Sequence, residues 1–230
     1  MNVDRARPPV IELRGVGRRF GTDPPLDALI DVNLDVLHGE WLAIVGPSGS
    51  GKSTLLNILG LLDVHTSGTY RLDGIDVTGL SDQQRAGLRS RAIGFVFQSF
   101  YLIAHRTVLE NVELSEVYRK GPRRHRNERA AAVLARVGLS ERMNYLPTRL
   151  SGGERQRAAI SRAIMGSPRV LMCDEPTGNL DTATTEAILD LFAQLNHDGL
   201  TIVTITHDAD VAERAHRQVR IVDGRLKELR

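Results

Sequence analysis

Apolar residues along the chain follow two rhythms, one of period two and one near 3.6, and the changeovers mark the elements. Residues 10–20 (Val-Ile-Glu-Leu-Arg-Gly-Val-Gly-Arg-Arg-Phe) and Val32-Asn-Leu-Asp-Val-Leu37 alternate in part, as half-buried strands do. Thr69-Tyr-Arg-Leu72 and Ile75-Asp-Val77 flank Asp73-Gly74, a pair suited to a tight hairpin turn. Trp41 to Val45, Ala92 to Phe97, Arg169 to Asp174 and Leu200 to Thr206 are apolar runs of strand length. A last hairpin turns at Asp223-Gly224.

Helical spacing appears in Thr54 to Gly60, in a segment capped by Ser81 that runs to about Arg91, and in Thr107 to Tyr118. It returns in Asn127 to Val137 (closed by Gly138), in Gly153 to Met165 and in about Thr184 to Asn196. Strands and helices alternate at both ends of the chain, so the expected class is α/β, with a mostly parallel sheet covered by helices. The antiparallel pieces before and just after the first buried run predict a small β-subdomain. From about 107 to 167 strand signals stop, which predicts an inserted α-helical subdomain. Residues 1–9 are expected to be a flexible N-terminus of a single domain.

Composition narrows the picture. The chain has 230 residues and a net charge of +2, with acids and bases interspersed, so bulk charge does not argue for nucleic acid. No apolar core follows the arginines near Met1, as a signal peptide would require, and no run approaches a membrane span. Cys173 is the single cysteine, which rules out an intrachain disulfide and suits a reducing compartment. The expectation is a soluble, intracellular protein that reaches a membrane only through another chain.

The chemistry begins at Gly46-Pro47-Ser48-Gly49-Ser50-Gly51-Lys52-Ser53-Thr54, which satisfies the pattern G-x-x-x-x-G-K-[ST] between a strand and a helix. Glycines let backbone N–H groups converge on a phosphate oxygen, and the helix start adds partial positive charge. Lys52 is then placed for the β- and γ-phosphates, and Ser53 for Mg²⁺. At the end of the Arg169 run, Asp174 and Glu175 stand where parallel sheets bind ligands. Asp174 is a candidate metal partner for Ser53, and Glu175 a candidate general base for an attacking water. Leu150-Ser151-Gly152-Gly153-Glu154 opens another long helix, giving a second helix start of the kind that binds anions. Either this is merely a capped start, or it meets a nucleotide held by a second copy.

The motif Leu150 to Glu154 resembles the signature of ATP-binding cassette ATPases, and the order of the other pieces agrees. These are the phosphate loop, Gln98 after a strand, the signature, Asp174-Glu175, Gly178-Asn-Leu-Asp181 and His207. The resemblance runs from about Val10 to Gly224. It implies a P-loop NTPase core of the RecA-like kind, ATP and Mg²⁺ as cofactors, and ATP hydrolysis. It also implies head-to-tail pairing with a second copy, in which Ser151, Gly152, Gly153 and Glu154 close the other copy's site. Asp181 reaches across that dimer. Phe20 matches an aromatic that stacks on adenine, although burial preference alone would put a phenylalanine in the core. Gln98 matches a residue that touches Mg²⁺ and the attacking water. His207 matches a histidine that donates to the γ-phosphate, although a lone histidine at a strand end is more often a core or capping residue.

Leu59-Gly-Leu-Leu-Asp63, Phe97-Gln-Ser-Phe100, Leu109-Glu-Asn-Val112 and Pro176 to Asp181 are similar to the branch holding macrolide exporters, lipoprotein-releasing complexes and the cell-division cassette. That likeness implies an integral membrane permease on a separate chain and a peripheral place on the cytoplasmic side of the inner membrane. Tyr101 and Ala104-His105 depart from the branch pattern where the permease docks. Alternatives are a cell-division-type regulator and a polar amino acid importer. A cassette acting on ribosomes or DNA fits less well, since long heptads and metal-ligand cysteines are absent from the sequence. A small-molecule kinase would leave the signature and His207 unexplained. The basic run Arg119, Lys120, Arg123, Arg124, Arg126 and Arg129 reads first as a solvated helix start and secondly as a contact for anionic lipid.

Overall fold

The computed structural model describes residues 7–117 and 123–229. Chain order begins with β1 (Ile11–Phe20), β2 (Leu26–Val36) and β3 (Trp41–Val45), then α1 (Lys52–Leu59), β4 (Ser67–Leu72) and β5 (Ile75–Asp76). Next come α2 (Asp82–Ala92), β6 (Ile93–Phe97), α3 (Val108–Glu113), α4 (Arg123–Arg136) and α5 (Gly152–Ile164). The chain continues through β7 (Val170–Asp174), α6 (Thr182–His197), β8 (Thr201–Ile205), α7 (Ala209–Glu213), β9 (Arg217–Val222) and β10 (Arg225–Glu228).

Two sheets form. One is antiparallel, in the order β2-β1-β4-β5, and the other has six strands in the order β10-β9-β3-β8-β7-β6. In the larger sheet β9, β3, β8, β7 and β6 run parallel and β10 pairs antiparallel at the edge. Parallel strands are covered on both faces, so their interiors need no polar alternation, and β8 is buried at every position. The α/β class and its mostly parallel sheet are therefore as expected.

The turns follow from residue type. Asp73 and Gly74 have φ of 50° and 76°, and Asp223 and Gly224 have 49° and 72°. Two consecutive left-handed residues are what a two-residue hairpin turn matching strand twist requires. Ser81, Thr107 and Ser151 each cap a helix with a reciprocal box to Gln84, Glu110 and Glu154.

Several boundaries differ from expectation, among them the start of β2 at Leu26, ahead of Val32. The α-helix after Thr107 ends at Glu113 and tightens into a 3₁₀ turn over Leu114–Glu116; Tyr118 lies outside the described residues. Buried Asn111 donates to the Ile103, Arg106 and Thr107 carbonyls and accepts from Ile103 N, fastening this short helix to the loop before it. Helix α4 starts at Arg123, ahead of Asn127, because arginine is a good helix former and charge does not stop a helix. Finally, β9 is an internal parallel strand beside β3, and α7 precedes it, where the residue pattern predicts only a terminal hairpin.

Among the described residues, packing divides into three apolar clusters. One joins β1, β2 and β4 to α1 and one face of the large sheet; another lies between its other face, α5 and α6. The third is shared by α3, α4 and α5 around Val108, Val112, Leu134 and Ala158. Helix α5 faces two clusters at once, through Ile160 and Ile164 on one side and Ala158 on the other.

Candidate functional site

Strand register assembles the site. Phe97 pairs with Asp174, and Asp174 with Ile205, and Ile205 with Ile44, so four parallel strands end in one row. The residues just beyond that row, Gln98, Glu175, Thr206 and the loop from Gly46, leave the sheet at its carboxyl edge. That edge is where open parallel sheets bind ligands.

The loop between β3 and α1 is shaped by close backbone approach. A Cβ on Gly46 would lie 2.3 Å from the Ile221 carbonyl oxygen, and one on Gly51 2.5 Å from that of Ala28. At Gly49 a Cβ would meet nothing within 4 Å, so this stretch of backbone is open to an incoming group. Lys52 Nζ donates to the loop's own carbonyls, Gly46 O at 2.8 Å and Pro47 O at 2.7 Å. Ser50 Oγ is buried with no partner among the described residues. A hydroxyl and an ammonium held beside open N–H groups match a phosphate, whose oxygens accept from all three. Pro47 and Ser48 form the exposed shoulder of the loop.

Phe20, Gly49, Gly51, Lys52, Ser53 and Thr54 line one cavity of about 510 Å³, which Asp223 and Gly224 also border. Phe20 is 37 % exposed, so it is not a core residue. The Arg18 guanidinium sits over the Phe20 ring at 4.3 Å from its centroid, a cation–π contact.

Glu175 is held from β8. Its Oε1 accepts from His207 Nδ1 at 2.7 Å and from His207 N at 3.1 Å, while Oε2 accepts from Thr206 Oγ1 at 3.1 Å. Its backbone is left-handed, φ 45°, an arrangement that a non-glycine residue adopts only when its surroundings impose it. The Glu175 side chain is 18 % exposed and that of His207 75 %. Since a carboxylate oxygen only accepts, the proton of this contact is on Nδ1, and Nε2 is the ring nitrogen left for a ligand. His207 lies two residues past the end of β8 rather than within it. Thr206 was not singled out from the sequence, where it reads as one more β-branched strand residue.

Asp174 is half-buried, and burial followed by the Glu175 charge pushes its carboxyl above the usual range, opposed by Lys52. Its side chain takes no hydrogen bond among the described residues. A carboxylate short of donors, with the Ser53 hydroxyl and the Gln98 amide as further oxygen donors, suits a hard divalent cation. No cluster of three His, Cys, Asp or Glu occurs among the described residues.

Other candidate residues lie elsewhere. Gln98 Nε2 donates to Asn179 Oδ1 at 3.3 Å, so its side chain rests on the Gly178-Asn179 turn. Ser151 Oγ accepts from Glu154 N at 3.2 Å and Glu154 Oε2 from Ser151 N at 2.8 Å, with Arg142 Nε on Glu154 Oε1 at 2.9 Å. Glu154 therefore caps and braces the helix. A Cβ on Gly153 would come within 2.5 Å of Thr184 Cγ2, which explains that glycine by packing. Asp181 caps α6, accepting from Thr184 N at 2.9 Å and Thr184 Oγ1 at 2.7 Å. None of Ser151, Gly152, Gly153, Glu154 or Asp181 borders the cavity beside the phosphate loop. Within the basic run, Arg129 is paired with the buried Glu116 carboxylate, while Arg119 and Lys120 lie outside the described residues. Cys173 is buried, and burial pushes its thiol far above the ordinary range, so it has no nucleophilic form near neutrality.

A phosphate loop, a half-buried carboxylate and a pinned glutamate at one sheet edge define a nucleotide-hydrolysing ATPase. The family model described as ABC transporter matches residues 29–178. Uncharacterized ABC transporter ATP-binding protein YvrO of Bacillus subtilis is 53 % identical over 195 residues, 85 % of each chain. Macrolide export ATP-binding/permease protein MacB of Rhodospirillum rubrum is 49 % identical over 222 residues, 96 % of this chain but 34 % of that protein. The dimeric, post-hydrolysis ATP-binding cassette MJ0796 bound to ADP and Pi superposes with a TM-score of 0.85. It is 40 % identical and covers 96 % of this chain and 99 % of its own. The chain belongs to the ABC transporter family, as an ATP-binding, ATP-hydrolysing cassette. No helix among the described residues is long and apolar enough to cross a membrane.

Proposed function

We propose that the chain binds ATP with Mg²⁺, pairs head to tail with a second cassette and powers an integral membrane permease carried on a separate chain. In this reading the loop N–H groups and Lys52 hold the β- and γ-phosphates, and Phe20 stacks on the adenine. Ser53, Asp174 and Gln98 would hold the metal, which would supply positive charge to neutralise the phosphate oxygens. Glu175 accepts the proton of the attacking water, a contribution of about 10²–10⁴-fold. His207 Nε2, freed by the Nδ1 contact, donates to the γ-phosphate in the imidazolium form. Gly152 and Gly153, which do not border the cavity beside their own phosphate loop, serve the partner's nucleotide, and Asp181 starts the helix that faces it.

The observation that carries the reading is the grip of His207 and Thr206 on Glu175 at the carboxyl edge, beside the phosphate loop. It supplies a fixed base, and fixed geometry is what in-line phosphoryl transfer requires. MacB of Rhodospirillum rubrum is an export ATP-binding/permease protein, and the present chain spans about a third of its length, which favours export or force transmission over import. For the permease, the groove of about 520 Å³ lined by Leu62, Phe95, Phe97, Tyr101 and Leu114 offers an apolar seat. Leu62 is 50 % and Tyr101 63 % exposed, and Phe97 and Tyr101 pack edge to face at 5.3 Å. Such docking places the protein on the cytoplasmic side of the inner membrane.

The test is recovery of tagged Glu175→Gln protein from detergent-solubilised membranes with ATP and Mg²⁺. A stoichiometric multi-span protein is the expected companion. Recovery of ribosomes or DNA-repair factors with no membrane protein would overturn the transport reading and leave the ATPase chemistry standing.

A further inference from the structure

Asn179 and Gln98 hold each other through two amide groups, and one backbone carbonyl sets the direction of both. Asn179 Nδ2 donates to the Gln98 carbonyl oxygen at 3.0 Å. A carbonyl oxygen only accepts, so the NH₂ end of Asn179 belongs there and Oδ1 is its other end. Asn179 Oδ1 lies 3.3 Å from the Gln98 side-chain amide. An amide oxygen also only accepts, so the atom facing it is the NH₂ end of Gln98. The remaining end of Gln98, Oε1, accepts no hydrogen bond among the described residues.

The surroundings keep this clasp in register. A Cβ on Gly178 would stand 2.7 Å from Gln98 Nε2, so glycine is what lets the amide lie against the turn. Beyond Gln98, Phe100 and Tyr101 both have left-handed backbones, φ 54° and 47°. Arg162 of α5 donates to both of their carbonyls, at 2.8 Å for Phe100, and the Arg155 guanidinium lies 5.3 Å from the Phe100 ring centroid. The segment is fixed on both sides of the glutamine.

We propose that Asn179 is a positioning residue that presents the oxygen of Gln98, and not its NH₂, to the divalent cation. The inference rests on the reading of Gln98 as a metal-facing residue. A hard cation takes oxygen donors, whereas an amide turned the other way points a donor at it and repels it. A glutamine without a partner for its NH₂ samples both faces; Asn179 removes the wrong one. Hydrogen-bonded partners behind a metal ligand contribute about 10–100-fold to metal affinity. Asn179 stands in the turn that leads to Asp181, so the segment expected to meet a second cassette also sets the Gln98 amide.

The experiment measures Mn²⁺ affinity by the free-ion electron paramagnetic resonance signal, with ATP, in four proteins that all carry Glu175→Gln. They are the parent, Gln98→Ala, Asn179→Ala and the double variant; thermal midpoints and metal-free ATP affinity are followed in each. The expected result is weaker Mn²⁺ binding in Gln98→Ala, about tenfold weaker binding in Asn179→Ala, and no further loss in the double variant. An equal Asn179→Ala loss with Gln98 already removed would overturn the proposal, since Asn179 would then act through the turn. Parent-like affinity in Asn179→Ala alongside a loss in Gln98→Ala would overturn it while the metal reading of Gln98 survives. No loss in Gln98→Ala would sink that metal reading and the proposal with it.

Discussion

His207 reaches the same carboxylate oxygen of Glu175 twice, from its ring Nδ1 at 2.7 Å and from its backbone N–H at 3.1 Å. The two residues lie at the ends of adjacent parallel strands, so the contact locks the catalytic edges of β7 and β8 together. Replacing His207 with alanine removes the ring contact and leaves the backbone one. The expected outcome is a fall in kcat of about 10²–10³-fold, the scale of one lost electrostatic donor, with KM for ATP changed far less. Steady-state kinetics on the purified chain check it; a parent-like kcat would remove His207 from the chemistry.

The Glu154 carboxyl is held below the usual range chiefly by the Ser151 backbone N–H, opposed next by burial, with the Arg142 side chain adding a further lowering. A depressed folded value means that this group stabilises the fold above its unfolded value and that the benefit is lost as pH falls through the folded one. Glu154→Gln keeps an oxygen for the Ser151 N–H but has no proton to gain. At neutral pH the variant should be less stable by under about 1 kcal/mol. The gap should close as acid reaches the carboxylate range, as read from urea unfolding at a series of pH values.

Trp41 is the only tryptophan, and its indole N–H donates to Thr204 Oγ1 at 3.0 Å with both residues buried. Thr204→Val keeps the shape and strands the indole donor. A loss of about 1–3 kcal/mol is expected, the penalty for a buried donor left unpaired. Trp41 fluorescence during denaturant unfolding measures it directly.

Gly224 has φ of 72°, and a Cβ there would be 2.8 Å from the Ala28 carbonyl oxygen. Gly224→Ala is therefore expected to lower stability by about 1–3 kcal/mol. Because Gly224 N donates to Ser50 O at 3.0 Å, it should weaken ATP binding as well. Thermal melting and equilibrium dialysis separate the two effects.

Much of this site was legible in the chain because its chemistry is local. Gly46 to Thr54 is one unbroken run, and the spacing of its glycines, lysine and serine follows directly from how a backbone wraps a phosphate. Asp174-Glu175 was legible for a similar reason, as the end of an apolar run. The clasp of Asn179 on Gln98 joins residues 81 positions apart, and neither side chain carries a local pattern that announces the other. Strand β9 escaped because Arg217-Gln-Val-Arg-Ile-Val222 alternates like an exposed hairpin strand, although it pairs in parallel with β3. Its polar residues are tolerated there because only β10 lies beyond it, at the sheet edge. The partial burial of Arg217 is matched by Glu40, at 3.2 Å, a pairing that only the assembled sheet creates.

The hairpin of β9 and β10 leans on the phosphate loop through Gly224, which donates to Ser50 O and accepts from Ile30 N at 2.8 Å. A ribosome makes residue 50 long before residue 224, so the loop emerges without the backbone that shapes it. Until translation passes Gly224, the nascent chain holds the residues of the loop but not this contact to it. A chain cut short of Gly224 would carry the whole phosphate-loop motif without the Gly224 contact to Ser50 that braces it.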